Sequence, residues 1–221
     1  MTCLLVVAKA PVAGFAKTRL SPEIGARQAA RLAAAALLDT LDAVLTTPDT
    51  IPVVAVTGDL TRAERAAELA TALAHCTVIP QRGHDFATRL ANAHADIATL
   101  HSGLPVLQIG MDTPQLHPEL LAESIDTLHT PGTDAVLGPA TDGGWWALGL
   151  RSPVHATVLR EVPMSRPDTG ARTNHALRRA GLTVSELPQL SDVDTVADAF
   201  QVAALAPMGR FAAEMLAEVP G

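Results

Sequence analysis

Both lysines of the chain lie near its amino terminus, within LLVVAKAPVAGFAKTRLSPEIG, and every other cationic side chain is an arginine. The loop after the apolar run contains Lys9, Gly14, Lys17, Thr18 and Arg19, and leads into a stretch with helical spacing. Backbone N–H groups at such a junction bind phosphate oxygens, and nearby cations neutralise the phosphate charge. We interpret the segment as a phosphate-binding loop. The alternative is a set of solvated cations, although cations are unfavourable at the positive end of a helix dipole unless an anion binds there.

The common motifs for nucleotide or covalent chemistry do not account for this loop. The P-loop motif GxxxxGK[ST] needs a glycine directly before the lysine, where this chain has Ala16. The loop also lacks the GxGxxG pattern of a Rossmann dinucleotide site. No HExxH or GxSxG sequence is present, and the eight histidines show no clustered spacing, so the sequence does not indicate a zinc protease or a serine hydrolase.

Three aspartates follow predicted strands in the second half of the chain. Asp112 lies two residues after the end of PVLQIG, and Asp192 and Asp194 are two residues apart in LPQLSDVDT. A carboxylate at the end of a central strand suits Mg²⁺ or Mn²⁺ bound together with a phosphate. Two acids so close repel each other unless a cation lies between them. The alternative is that Asp112, or one member of the pair, caps a helix or a turn.

A glycine-rich turn lies between the two apolar runs DAVLGPA and WWALGL. It consists of Asp142, Gly143 and Gly144 and is followed by Trp145 and Trp146. Asp-Gly-Gly is a turn signal by itself, and it also allows a backbone to approach a ligand closely. Adjacent strand residues point to opposite faces of a sheet, so at most one tryptophan faces a given pocket and we expect the other in the core.

Composition excludes several classes of protein. The net charge of −7 at pH 7 gives no basic face for nucleic acid. No apolar run approaches the ~20 residues of a membrane span. The first apolar run lacks the flanks of a signal peptide, and Cys3 and Cys76 have no CxxC-like spacing. We therefore expect a cytoplasmic protein with two reduced thiols.

Apolar runs alternate with helical stretches along the whole chain, which predicts an α/β fold with a mostly parallel sheet covered on both faces. We expect one domain over residues 1–221, because no linker or repeat interrupts the pattern. In such sheets ligands bind beyond the carboxyl ends of the strands. That rule selects the loops after residues 8, 57, 80, 110 and 140. Predicted strands cover 3–8, 52–57, 77–80, 105–110, 134–140, 145–150 and 182–188, and predicted helices cover 21–45, 61–74, 85–100, 117–128 and 168–181, with two more after 188.

Five segments in order resemble a bacterial family of glycosyltransferase-like proteins, some of them labelled arsenosugar-biosynthesis or radical-SAM-associated transferases. The segments are KAPVAGFAKTRL, PQRGHDFATRLANA, IGMDTPQL, VLGPATDGGWWALGL and LPQLSDVDT. More distantly the chain is similar to phospholactate and molybdenum-cofactor guanylyltransferases. The resemblance implies a GT-A fold, that is, a three-layer sandwich of the nucleotide-diphospho-sugar transferase type.

The resemblance also implies roles for individual residues. The expected nucleotide-binding residues are Ala8, Lys9, Gly14, Lys17, Thr18, Arg19, Gln81 and Gly83. The expected metal ligands are Asp112, Asp192 and Asp194. The acceptor is expected at Asp142, Gly143, Gly144, Trp145 and Ser165, and the expected catalytic residues are Lys17, Asp112 and Asp142, with Asp142 as general base. PMSRPDTG stands where the family commonly has a W-S-T-like segment, and Ser165 is its best match.

We expect a transferase that uses a nucleotide donor, Mg²⁺ or Mn²⁺ and a small-molecule acceptor. Glycosyl transfer from a nucleotide sugar is the first expectation. Nucleotidyl transfer from an NTP to a phosphorylated acceptor, with release of pyrophosphate, is the alternative. A nucleotide-binding protein without catalysis is the third. The sequence leaves the oligomeric state open between monomer and homodimer.

Overall fold

A computed structural model describes residues 1–217 and contains one seven-stranded sheet in the order β3-β2-β1-β4-β6-β5-β7. All neighbouring strands are parallel except β6, which is antiparallel to both β4 and β5. This arrangement confirms the predicted α/β class and the mostly parallel sheet. The strands are β1 (Thr2–Lys9), β2 (Thr50–Thr57), β3 (Thr77–Pro80), β4 (Val106–Gly110), β5 (Ala135–Pro139), β6 (Trp145–Leu150) and β7 (Val184–Glu186).

Helices cover both faces of this sheet. They are α1 (Ser21–Ile24), α2 (Ala26–Thr46), α3 (Ala66–Leu73), α4 (Phe86–Leu100), α5 (Pro118–His129), α6 (Thr169–Arg179), α7 (Val196–Leu205) and α8 (Arg210–Leu216). Two 3₁₀ helices span Leu60–Arg62 and Pro153–Glu161. No helix in the described part of the chain is both long and apolar enough to cross a membrane.

The central strand β1 is apolar from Cys3 to Ala8 because both of its faces are buried. Leu4, Val6 and Ala8 pack with α2, α3 and α5 on one face of the sheet. Leu5 and Val7 pack with α4, α6 and the longer 3₁₀ helix on the other. A third cluster on the outer side of α2 packs α7 and α8 against it. Continuous apolar runs are typical of parallel strands covered on both faces.

Three elements differ from the sequence-based expectation. The helix expected over 61–74 begins only at Ala66, after the separate 3₁₀ helix Leu60–Arg62. The helix expected over 21–45 is interrupted at Gly25, where φ is +82°, so that α1 and α2 are separate. Glycine adopts this left-handed conformation without the steric cost of a Cβ, and the chain changes direction there. The 3₁₀ helix Pro153–Glu161 was not expected, because its β-branched residues and proline carry no helical propensity.

The antiparallel β6 brings the glycine-rich turn to the side of the sheet where the parallel strands have their carboxyl ends, which we call the functional edge. Strands β1, β4 and β5 end at this edge, and β6 begins there, since Pro139 pairs with Trp145. The segment after β7 reaches the same edge through a bridge between Ala140 and Leu190. The loops after β1, β4, β5 and β7 therefore converge, as the rule for parallel sheets predicts.

Candidate active site

Lys17 joins three of the converging loops. Its ammonium group lies 2.7 Å from Asp112 Oδ2 and also donates to the backbone oxygen of Val193. The Val193 N–H donates in turn to the Asp112 carbonyl at 3.3 Å. Lys17 has φ +48°, a left-handed conformation that costs a residue with a Cβ roughly 1–2 kcal/mol. The fold therefore holds the Lys17 backbone in an unfavourable conformation. Its side chain, 9% exposed, lies between the two segments that carry acids.

The acids themselves form a cluster beside Lys17. One carboxylate oxygen from each of Asp142, Asp192 and Asp194 lies within 4.8 Å of the other two. Asp142 Oδ1 accepts from the Gly144 N–H at 2.7 Å, which fixes its orientation. Burial, followed by the charges of Asp142 and Asp194, raises the pKa of Asp192 to about 6. The cluster thus carries three carboxylates with two cations nearby, Lys17 and Arg19, of which Arg19 pairs with Asp194. Its negative charge is therefore only partly neutralised.

The grouping of acids differs from the one expected from the sequence. Asp192 and Asp194 are in the cluster, but the third member is Asp142, which had been expected on the acceptor side. Asp112 is not a member of this group among the described residues, and its carboxylate is paired with Lys17. The sequence did carry a signal for Asp142, because an aspartate at the start of a tight turn has its carboxylate oriented by the turn's own N–H groups.

The first loop presents donors as expected of a phosphate site. Within residues 1–217, no protein atom accepts from the backbone N–H groups of Gly14, Lys17, Thr18 or Arg19. Gly14 has φ +76°, and no atom lies within 4 Å of the position that a Cβ would take there, so the turn is open to solvent. The Lys9 ammonium group lies 5.0 Å from the centroid of the Phe15 ring, apart from the acids. Lys9 and Lys17 thus stand at different places around the loop.

Gln81 and Gly83 have structural contacts that the motif did not reveal. The Gln81 amide nitrogen donates to the carbonyls of Ala8 at 2.8 Å and Ala55 at 2.9 Å, joining the ends of β1 and β2. A Cβ at Gly83 would lie 2.8 Å from Thr88 Cγ2, so the turn packs closely on the start of α4. Both residues shape the edge beside the first loop, and nucleotide contacts from them stay a prediction.

The glycine turn packs directly on the first turn of α6. A Cβ at Gly143 would lie 1.9 Å from the Pro167 carbonyl oxygen, and the Gly170 N–H donates to the Gly143 carbonyl at 2.8 Å. Trp145 Nε1 donates to Thr173 Oγ1 at 3.2 Å. These contacts attach α6 rigidly to the turn that carries Asp142. Sequence reasoning missed Pro167 and Gly170, although the DTG sequence before a helix was a possible signal.

The remaining acceptor-side residues lie around this contact. Ser165 has φ +59° in the segment that leads into α6. Trp146 is buried, and its Nε1 donates to the Pro188 carbonyl at 2.9 Å. Trp146 is therefore the core tryptophan that the strand alternation predicted, while Trp145 is partly exposed at the edge of the site.

The chain is similar to known proteins, to some in sequence and to others in fold. The chain is 30% identical over 188 residues to a phosphoenolpyruvate guanylyltransferase of Nocardia farcinica, and the match covers 83% of this chain and 77% of that protein. A protein of Desulfovibrio desulfuricans G20, provisionally named a nucleotide-diphospho-sugar transferase, superimposes with a TM-score of 0.79 at 26% identity over 98% of both chains. Rv0371c of Mycobacterium tuberculosis in complex with manganese has the same fold, with a TM-score of 0.52 at 22% identity over 91% of this chain and 98% of that one.

These similarities confirm two expectations: the nucleotide-diphospho-sugar transferase-like fold and the enzyme class, a transferase. The resemblance to guanylyltransferases is confirmed as a similarity to one such enzyme. The arsenosugar-biosynthesis and radical-SAM labels stay predictions. The model of family DUF2064, described as "uncharacterized protein conserved in bacteria", matches residues 40–166, which is more than half of the sequence, and the chain belongs to this family.

Proposed function

We propose that the protein is a metal-dependent nucleotidyltransferase that joins a nucleoside monophosphate from an NTP to a small anionic acceptor. The observation that supports this most strongly is the meeting of the Asp142–Asp192–Asp194 cluster with Lys17 and the open amides of the first loop. Acids that can hold a divalent cation and donors that can hold phosphate lie side by side at the functional edge. The 30% identity to a phosphoenolpyruvate guanylyltransferase supports the same reaction and makes GTP the first donor to test.

The acidic cluster fits a divalent cation on its own chemistry. Its three oxygen donors are carboxylates, which Mg²⁺ and Mn²⁺ prefer. Burial and like charges raise the pKa of Asp192 to about 6, so a cation beside it would relieve repulsion that the protein now bears. Asp142, Asp192 and Asp194 would hold the ion, which when bound supplies charge stabilisation to the donor phosphates.

The residues of the chain have the following tasks in this proposal. The amides of residues 17–19 and the Arg19 guanidinium bind the phosphates of the NTP. Lys17 has three N–H donors and uses two of them, on Asp112 and the Val193 carbonyl, so that one is left for a phosphate oxygen. An acceptor oxyanion then attacks the α-phosphorus, the new P–O bond forms, and the bond to pyrophosphate breaks.

Asp112 and Asp142 receive different roles from those first expected. Asp112 positions Lys17 through the 2.7 Å ion pair and holds the 192–194 segment through its carbonyl. A phosphate or carboxylate acceptor is already deprotonated near neutral pH, so the reaction needs no general base. Asp142 is therefore proposed as a metal ligand and not as a base.

Glycosyl transfer from a nucleotide sugar is the second candidate. It is supported by the full-length similarity to the Desulfovibrio protein, which is named for such transferases. In that reaction the acceptor hydroxyl would need a base, and the exposed Asp142 carboxylate is the available group. The leaving group would be a nucleoside diphosphate, whereas nucleotidyl transfer releases pyrophosphate.

The test combines ligand stabilisation with product analysis. The purified full chain is incubated with GTP, CTP, UTP, ATP, UDP-glucose or GDP-mannose, each with Mn²⁺, Mg²⁺ or EDTA, and melting temperatures are recorded. A ligand at 100 times its Kd stabilises by about 2.7 kcal/mol. Reactions with phosphoenolpyruvate and with a broad set of phosphorylated and hydroxyl-bearing acceptors are then assayed for pyrophosphate and for nucleoside diphosphate.

Each outcome selects one interpretation. Metal-dependent stabilisation by one NTP with pyrophosphate release supports nucleotidyl transfer. Stabilisation by a nucleotide sugar with nucleoside diphosphate release supports glycosyl transfer and contradicts our proposal. Nucleotide binding without any product across a broad acceptor set indicates the non-catalytic alternative. An Asp192→Asn/Asp194→Asn double variant that kept full activity would contradict the assignment of the acidic cluster.

A further inference from the structure

A groove on the far side of the glycine turn has no role in the site described above. It runs between α6 and the 3₁₀ helix Pro153–Glu161 and has a volume of about 720 Å³. Small-molecule sites typically enclose roughly 300–1,000 Å³. Its lining combines apolar side chains with basic ones along one side of α6 and two acids, namely Val158, Val162, Ala176, Arg172, His175, Arg179, Glu161 and Asp168.

The groove begins where α6 meets the candidate active site. Asp168, at the α6 N-cap, lines the groove, and its neighbour Pro167 is in contact with Gly143 of the glycine turn. The Gly170 N–H donates to the Gly143 carbonyl at 2.8 Å. One end of the groove is therefore separated from the Asp142 carboxylate only by the glycine turn and the first turn of α6.

Two arginines converge on one carboxylate at that end: Arg172 belongs to the groove lining, and Arg166 reaches Asp168 from the segment just before α6. Arg166 Nε lies 3.1 Å from Asp168 Oδ1, and Arg172 Nε lies 2.6 Å from Asp168 Oδ2. Each guanidinium uses only its Nε–H here, and within residues 1–217 no other acceptor is bonded to either one. The terminal N–H groups of both arginines are therefore available to a second oxyanion, for which the planar guanidinium is well suited.

Asp168 gives up a favourable interaction to hold these arginines. It occupies the N-cap position of α6, yet its side chain makes no capping hydrogen bond. An aspartate that caps a helix through its side chain ordinarily stabilises that helix. In α4, by contrast, the N-cap Asp85 accepts from the Thr88 N–H at 2.7 Å. The Asp168 carboxylate thus occupies, between the two arginines, the position that an external anion would take. Once displaced by such an anion, Asp168 would be free to cap α6.

We propose that this groove is a second ligand site, outside the candidate active site, and that its ligand is an organic oxyanion with an apolar body. The charged group of the ligand displaces Asp168 from Arg166 and Arg172, and its apolar part lies on Val158 and Val162. Anion binding in the groove does not depend on the proposed transferase function. The local arginines are needed because the chain as a whole carries a charge of −7 and repels anions.

Calorimetric titration of the full chain with phenyl phosphate, benzoate and inorganic phosphate tests the proposal. Phenyl phosphate and benzoate distinguish a phosphate ligand from a carboxylate one, and inorganic phosphate lacks the apolar body. We expect an Arg166→Gln/Arg172→Gln double variant to lose at least tenfold in affinity for the preferred aromatic anion. Asp168→Asn keeps a capping residue and removes the internal competitor, so we expect it to bind several-fold more tightly. A gain of affinity cannot arise from misfolding.

The matched control is Arg178→Gln on the same helix. Arg178 bonds to Asn174 Oδ1 at 2.7 Å and to the Val184 carbonyl at 2.9 Å, and it does not line the groove. We expect affinity within twofold of the unmodified chain. Equal loss in the Arg178 variant and the double variant would show a nonspecific charge effect and overturn the proposal, as would an unchanged affinity in Asp168→Asn. Equal affinity for inorganic and phenyl phosphate would contradict the apolar part of the site.

Failure of this proposal is distinguishable from failure of the proposed function. GTP with Mn²⁺ is titrated into the same variants, because its expected contacts are in the first loop and the acidic cluster. Retained GTP binding together with lost aromatic-anion binding in the double variant supports two separate subsites. Intact anion binding in a chain that binds no nucleotide would leave the groove assignment standing and contradict the transferase proposal.

Discussion

The Lys17 ammonium group lies 2.7 Å from the Asp112 carboxylate, although 95 residues separate the two in the chain. Lys17 also donates to the Val193 carbonyl, so one side chain fixes the first loop, the end of β4 and the segment after β7 relative to one another. Lys17 was expected to bind phosphate and Asp112 to bind a metal ion. In the structure the two residues form one ion pair that holds these three segments together.

Removing the Lys17 ammonium group should impair both nucleotide binding and turnover. We expect Lys17→Met to reduce kcat/KM about 100-fold, the typical loss for one charge-stabilising donor. Steady-state kinetics with GTP and Mn²⁺ measure this effect. Arg27→Gln removes the same charge from an exposed pair with Glu64 at the start of α2, and it should change kcat/KM less than twofold. Equal losses in the two variants would contradict a specific role for Lys17.

The metal ligands can be identified from melting temperatures with Mn²⁺ and with EDTA. We expect Asp142→Asn, Asp192→Asn and Asp194→Asn each to abolish most of the Mn²⁺-induced increase. Asp192→Asn should also raise the melting temperature in EDTA, because it removes a charge that Asp142 and Asp194 repel. Asp112→Asn should retain most of the Mn²⁺ effect. Loss of that effect in Asp112→Asn, with retention in Asp142→Asn, would restore the ligand set expected from the sequence.

The contact between the glycine turn and α6 predicts a large cost for a single methyl group. Gly143 has φ +87°, and a Cβ there would lie 1.9 Å from the Pro167 carbonyl oxygen. Gly132 has a similar φ of +85° with no atom within 4 Å of its Cβ position. Gly132→Ala should therefore cost only the conformational strain, about 1 kcal/mol, while Gly143→Ala should cost about 3 kcal/mol or more. Chemical denaturation measures both, and equal costs would show that the contact is not rigid.

His94 should make stability depend on pH. It is fully buried against Gln108, with Nε2 2.9 Å from Gln108 Oε1, and burial lowers its pKa to about 4 from the ordinary 6.5. Between these values the unfolded chain takes up a proton that the folded chain refuses, so stability falls as pH decreases from 6.5 to 4. The two pKa values correspond to a loss of about 3 kcal/mol, and above pH 6.5 this group contributes no slope.

Urea denaturation of two variants between pH 4 and 8 isolates this contribution. His94→Met should be less stable at pH 7, because Gln108 loses its partner, but it should show a shallower fall in stability toward pH 4. His75→Gln alters an exposed histidine and should keep the slope of the unmodified chain. A slope that persists in His94→Met would assign the effect to other groups.

The parallel architecture could be predicted because its signal is local. Adjacent residues of β1, such as Leu5 and Val6, point to opposite faces of the sheet, and both are apolar. Only a strand buried on both faces requires that pattern. The break at Gly25 was missed because helical spacing continues on both sides of it. The 3₁₀ helix Pro153–Glu161 was missed because its shape comes from packing on α4 and α6 and not from its own propensity.

The candidate site was predictable in its residues but not in their grouping. Lys17, Asp112, Asp142, Asp192 and Asp194 were all selected from their positions after strands. Which carboxylate pairs with the lysine and which two join Asp192 depends on side-chain directions across separate loops. Those directions are set by tertiary contacts such as the Val193–Asp112 hydrogen bond, which no local pattern encodes.

The reversed direction of β6 limits how enzymes of this fold can diversify. Because β5 and β6 are antiparallel neighbours, five residues suffice to connect them, whereas a parallel crossover needs roughly a dozen or more. That short connection holds Asp142 and is clamped by Pro167 and Gly170, so insertions there would separate Asp142 from Asp192 and Asp194. Insertions among the largely exposed residues 163–166, between the 3₁₀ helix and Pro167, would reshape the groove and leave the turn in place. We expect homologues that bind other anions to vary in length between residues 162 and 167 and to keep the turn at 140–144 constant.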